Sequence, residues 1–180
     1  MQPMKKPAGE DFSAFPIDRD PETFMRELLR ELAGTLEEIV GLEDASGFIS
    51  TVGCRISDVM NAEYRHHAGV ARLSIEQIAH ALVDLKRRIG GDYSIQSISN
   101  DEIVLIGSKC PFGKHVEGRN SLCMMTSNVF GKLAAENTGY AEVAIPKSFA
   151  AGDDCCHVIV SFKPDRFAID ENTREYYAAE

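Results

Sequence analysis

The sequence lacks any apolar run approaching the roughly 20 residues a membrane helix needs, which argues against a helical span. It lacks the basic excess of a nucleic-acid-binding surface: the net charge is −9 and the pI about 5.1. Its basic clusters are short, Lys5-Lys6 and Lys86-Arg87-Arg88. No apolar stretch of a signal peptide follows Met1, and the five cysteines are odd in number, so a cytoplasmic protein with reduced thiols is expected. Gly-x-Gly-x-x-Gly, phosphate-loop and Gly-x-Ser-x-Gly motifs are absent, and with no Cys-x-x-Cys pair the spacing is not that of a zinc finger. What is present is a chain of 180 residues, 44% hydrophobic, enough for one domain with a sizeable core.

Residues 1–19 are polar, rich in Pro and Gly, and expected to be disordered. Asp20-Pro21-Glu22 opens a helix over 20–41. Along it Met25, Leu29, Leu32, Leu36 and Ile39 alternate steps of four and three, a heptad seam that Phe24, Leu28, Ala33 and Val40 widen. Such a seam packs either on its own domain or on a second copy of the chain, giving a homodimer. Gly41 closes this helix. A second, over 44–66, carries Phe48, Ile49, Val52, Ile56, Val59 and Met60 on one stripe. Its Gly47 and Gly53 either admit another backbone or weaken the helix. Ser74-Ile75-Glu76-Gln77 is a capping box that starts a third helix. Its expected buried face is Ile78, Leu82, Leu85 and Ile89, with Lys86-Arg87-Arg88 as a solvated last turn.

The period then switches. Residues 92–99 and 102–106 read as a hairpin around Asn100-Asp101. Residues 120–137 read as a fourth helix, capped by Asn120, with Leu122, Met125, Val129 and Leu133 as its stripe. Two strands follow, at 140–145 and from Cys155 to Phe162, the second with Cys156, Val158, Val160 and Phe162 on one face. Beyond Lys163 the periodicity is lost, so 164–180 reads as a tail and 20–163 as a single domain. The class is α+β: an antiparallel four- to five-stranded sheet with helices on one face, N-terminal helices preceding a β-β-α-β-β unit.

Four of the five cysteines fall between Lys109 and Phe162, at turns and element ends. Cys110, Cys123 and Cys156 form a soft donor set for zinc, with iron as the alternative, and Cys155, His157 or His115 is available as a fourth ligand. Two other readings stand beside this one. The cysteines are small buried hydrophobes, or one is a reactive or redox-sensing thiol. Cys123 is the best such candidate, because a helix start lowers a thiol's pKa, and Cys110 and Cys123 could form a regulatory disulfide. A cysteine-dependent enzyme would need His115 or His157 as base, oriented by Asp153, Asp154 or Glu136. Methionine and phenylalanine concentrate beside these cysteines. They predict a ligand cavity between the fourth helix and the sheet, lined by Phe112, Met124 or Met125, Phe130 and Val158. His115, Ser121 and Thr126 would supply polar groups, and the CPFG and AAGDD loops would gate it.

The stretches GCRISDVMNAEYR, IAHALVDLKRRIGGDYSI, CPFG, SLCMMTSNVFG, AAENTGYAEVAI and AAGDDCCHVIV resemble the methanogen output domain family, from about Leu36 to Phe162. Such domains are similar to output or sensory modules of microbial signalling proteins and transcription regulators. The resemblance implies a regulatory domain, and since the sequence shows no DNA-binding or kinase segment, its output is expected to pass through a signalling partner or a dimer. A more distant similarity is to the 4-vinyl reductase sensory domain. There a helix cysteine and a Gly-x-x-x-Cys before the last strand bind zinc beside an aromatic-ligand pocket. Cys123 and the Gly152–Cys156 unit match those two positions. The remaining Glu and Cys ligands fall nearest Ile145 and Ser148, which leaves Cys110 as the implied substitute.

Overall fold

The computed structural model describes residues 15–17, 20–164, 166 and 173–179. Most of the N-terminal segment 1–19 therefore lies outside the described residues. Helix α1 runs Pro21–Ala68, α2 Ile75–Arg88 and α3 Asn120–Thr138. The strands are β1 Asp92–Ile98, β2 Glu102–Lys109, β3 Tyr140–Lys147, β4 Cys156–Ser161 and β5 Thr173–Tyr177. They form one antiparallel sheet in the order β1-β2-β4-β3-β5, so the class is α+β. Helices α2 and α3 lie against the sheet, and α1 packs over α3.

The two N-terminal helices read from the sequence are the two arms of α1, parted by Gly41 at φ 83° and ψ 161°, a conformation that glycine adopts without steric cost. Asp20 caps the first arm by accepting from the backbone N–H groups of Glu22 and Thr23 at 2.9 and 3.0 Å. The second arm corrects the sequence reading. Its buried face is Ala45, Ile49, Gly53, Ser57 and Asn61, at steps of four, while Phe48, Val52, Ile56 and Val59 are exposed. Close approach to α3 decides this: a Cβ on Gly53 would come 2.7 Å from Asn128 Cβ. Hydrogen bonds fill the tight seam: Ser57 Oγ donates to the Val129 carbonyl at 3.0 Å, and Asn137 Nδ2 donates to Asn61 Oδ1 at 2.9 Å.

Helix α2 begins with the expected capping box, Gln77 N–H to Ser74 Oγ at 3.2 Å and Ser74 N–H to Gln77 Oε1 at 2.9 Å. At its other end the face turns differently from the sequence reading: Ile89 is exposed and Lys86 is buried, while Arg87 and Arg88 pair with Asp84 at the surface. In α3 the cap position is Arg119, which makes no side-chain cap bond, and Asn120 is already helical. The segment read as a tail holds a strand. Tyr176 of β5 rests where Gly131 of α3 has no side chain, and its hydroxyl reaches Ser127 Oγ at 2.8 Å and Asn128 Oδ1 at 2.9 Å. The core fills the space between α2, α3 and the sheet with Ile78, Leu82, Ile103, Phe130, Leu133 and Val160.

Candidate functional site

The sheet register builds the site. Tyr93 of β1 stands opposite Gly107 of β2, and Gly107 stands opposite Cys156 of β4. Because Gly107 has no side chain, the Tyr93 ring lies across its position, where a Cβ would come 2.5 Å from the ring. The Tyr93 hydroxyl thereby pairs with the Cys156 thiol, and burial holds it neutral by pushing its pKa up. Opposite this row, α3 projects Cys123 and Thr126. Cys110, at the end of β2, and Phe112 close one side.

These residues enclose a cavity between α3 and the sheet, with Val116, Leu122, Ile145 and Val158 completing the wall. The space left inside is about 10 Å³, room for a single water. A second cavity of about 20 Å³ shares Cys123 and Ile145 with the first and adds Met124, Ser148 and Arg174. Cys110 faces both ways: it also lines an open groove of about 480 Å³ between the Lys109–Glu117 and Phe149–Asp153 loops. Cys110 is thus the wall residue that separates the cavity from the groove.

Cys110, Cys123 and Cys156 all line this cavity, and Cys155, His157 and His115 are not on its wall. Among the described residues no group of three or more His, Cys, Asp or Glu side chains is placed to hold a metal ion. The zinc or iron expected from the sequence has no support in this arrangement, and no chemistry is derived through either.

Nor are the Cys110 and Cys123 thiols activated. Burial pushes Cys123 up to about 11, although the Ser148 hydroxyl and the Ala150 N–H both hydrogen-bond its sulfur, and burial also raises Cys110. The expected lowering at the α3 start is overridden by desolvation among apolar neighbours.

Of the predicted wall residues, Phe112 and Val158 lie on the cavity, and Met124 lines the adjoining one. Phe130 is fully buried beneath the wall, and Met125 packs towards Gly53 of α1. Thr126 supplies a polar group at the cavity. Ser121 instead donates to Glu37, and His115 offers its carbonyl to Arg30 at 2.6 Å.

The residues that sequence reasoning missed are Lys86 and Tyr93. Lys86 is 4% exposed. Its Nζ donates to Thr126 Oγ1 at 2.6 Å and stands 5.2 Å from the ring centroids of both Tyr93 and Phe130. Burial pulls its pKa down to about 8, and the neighbouring sulfurs oppose that shift. The signal was in the spacing: Lys86 lies four residues after Leu82, on the buried face of α2.

Solved structures that share this architecture include the following two. The chain is similar to the phenol-responsive sensory domain of the transcription activator PoxR, solved with phenol, at 12% identity and a TM-score of 0.61. That match covers 78% of this chain and 73% of the other. It is also similar to trafficking protein particle complex subunit 3 from Naegleria fowleri, covalently bound to palmitic acid, at 16% identity and a TM-score of 0.54. There 87% of this chain and 99% of the other are covered. No curated protein matches the chain. The model of methanogen output domain 1 matches residues 28–161, and the chain belongs to that family.

Proposed function

We propose that this chain is a cytoplasmic sensory or regulatory domain that takes a small, largely apolar molecule into the cavity between α3 and the sheet. The observation that carries the reading is that this cavity and the outer groove lie on either side of one shared wall residue, Cys110. Its walls are mainly apolar, with a few convergent polar groups, as in ligand sites generally. The fold shared with a domain solved with phenol and a subunit bound to palmitic acid supports it. No helix among the described residues is long and apolar enough to cross a membrane, which is compatible with it.

The space in this conformation is water-sized, so a guest enters only as the 110–119 segment moves outward. Gly113 at φ 56° and Gly118 at φ 68° give that segment backbone freedom. The first arm of α1 grips it: Arg30 donates to the carbonyls of His115 and Glu117 at 2.6 and 2.8 Å, and Glu37 pairs with Arg119 at 3.6 Å. Filling the cavity would therefore pull on this arm, with Gly41 as the hinge.

The opposite side of the arm presents the heptad seam to solvent, with Leu32 57% and Ile39 75% exposed. We assign a second copy of the chain to this seam, since a heptad row is self-complementary about a two-fold axis. Output then passes through the dimer to a signalling partner. Thermal melts with phenol, benzyl alcohol and aliphatic alcohols test the ligand reading: it requires a concentration-dependent rise in Tm, and no rise with any probe defeats it. Light scattering tests the dimer, with wild type expected at twice the chain mass and Leu32→Glu at one chain mass. A wild-type monomer at high concentration would remove the dimer from the account.

A further inference from the structure

Behind the cavity wall stands a cation with no counter-ion. Among the described residues no carboxylate lies within ion-pair distance of Lys86, and Thr126 Oγ1 is the hydrogen-bond acceptor it has. An ammonium carries three donors. The Cys110 and Cys123 sulfurs do not serve as anions, because burial pushes both thiols up and keeps them protonated at neutral pH. A buried charge left in this state is expensive unless something pairs with it. The groups through which Lys86 meets the cavity, Thr126 and Tyr93, are both on the wall, and each brings a hydroxyl.

Resting on the reading that this cavity admits an apolar guest, we propose that the guest carries one carboxylate, held by Lys86 with the Thr126 and Tyr93 hydroxyls, its body lying along Val116, Ile145 and Val158. A single ammonium in a low-dielectric site balances a monoanion. A phosphate monoester would bring a second charge and more acceptor oxygens than these donors satisfy. Charge-assisted hydrogen bonds made away from water are the strong ones, so the head group would set the specificity and the apolar wall would tolerate varied bodies.

Matched pairs of probes test this on the full chain: octanoate against octanol, and phenylacetate against phenylethanol, by calorimetric titration and Tm. Each carboxylate is expected to bind at least about ten-fold tighter than its alcohol, the worth of one charge-assisted bond. Lys86→Met and Lys86→Gln should each erase that preference while the alcohols still bind. If neither variant folds, the wild-type comparison decides alone. Alcohols binding as tightly as carboxylates, or a variant that keeps the preference, would overturn the Lys86 assignment and leave the apolar cavity standing. Failure of all four probes would overturn both.

Discussion

Replacing Lys86 by methionine should make the protein more stable near neutral pH. Burial lowers Lys86 from its ordinary 10.5 to about 8, so the folded state carries an ammonium at a cost that the unfolded chain does not bear. The gap between those values corresponds to about 3 kcal/mol. Against it stand the hydrogen bond to Thr126, worth about 1 kcal/mol, and two ring contacts of about 0.5–1 kcal/mol each. Methionine is flexible enough to keep the packing, so the expected gain is about 1 kcal/mol, or a Tm increase of about 2–4 °C. The pH dependence is the sharper signature. Below about pH 8 both states hold the Lys86 proton and the cost is constant. Between about 8 and 10.5 the unfolded chain still holds it and the folded chain has shed it, so this group's contribution to stability rises with pH. Cys123 acts in the opposite direction: from an ordinary 9.0 it is pushed up to about 11, so its contribution falls as pH rises through that window. Subtracting variant from wild type in urea melts at pH 7 to 10 removes the cysteine contribution. The difference should be largest at pH 7 and shrink towards pH 10. A variant less stable than wild type by over about 1 kcal/mol, or a difference flat across pH, would refute the reasoning.

Elemental analysis of purified protein should find well under one zinc or iron per chain, because among the described residues no three His, Cys, Asp or Glu side chains are grouped to hold an ion; one metal per chain would show that the thiols close around an ion. Iodoacetamide at pH 7.5 should label Cys155 well before its neighbour Cys156, since Cys155 is partly exposed and Cys156 is buried at the inner cavity, and mass spectrometry of the digested protein reads the order. Gly131→Ala should displace the Tyr176 ring and cost about 1–3 kcal/mol in a urea melt, with faster amide exchange in Thr173–Tyr177.

The elements legible in the sequence were those fixed by local chemistry. The Ser74–Gln77 box, the Asp20 cap and the alternation of Val158 and Val160 in β4 each follow from neighbours in the chain. The rest depends on distant partners. The exposed Phe48–Val59 stripe was unreadable as exposed, because what turns α1 is the approach of α3 at Gly53, 75 residues from Asn128 in the chain. Strand β5 was missed because TREYY has no apolar alternation; it is held by Tyr176 over Gly131 and by pairing with β3. At the site, Cys110, Cys123 and Cys156 were found as a group because their residue type is rare. Lys86 was passed over because its Arg87-Arg88 neighbours made the whole turn look solvated.

The central claim is that a guest enters the cavity between α3 and the sheet. Methyl NMR of the full chain titrated with octanoate tests it most directly, using Val116, Leu122, Ile145 and Val158 as reporters on the wall and Val52 and Val59 as controls on the outer face of α1. The account predicts saturable shifts in the four wall methyls and none of comparable size in the controls. Shifts confined to the outer face of α1, or no saturable shift at the wall, would contradict it.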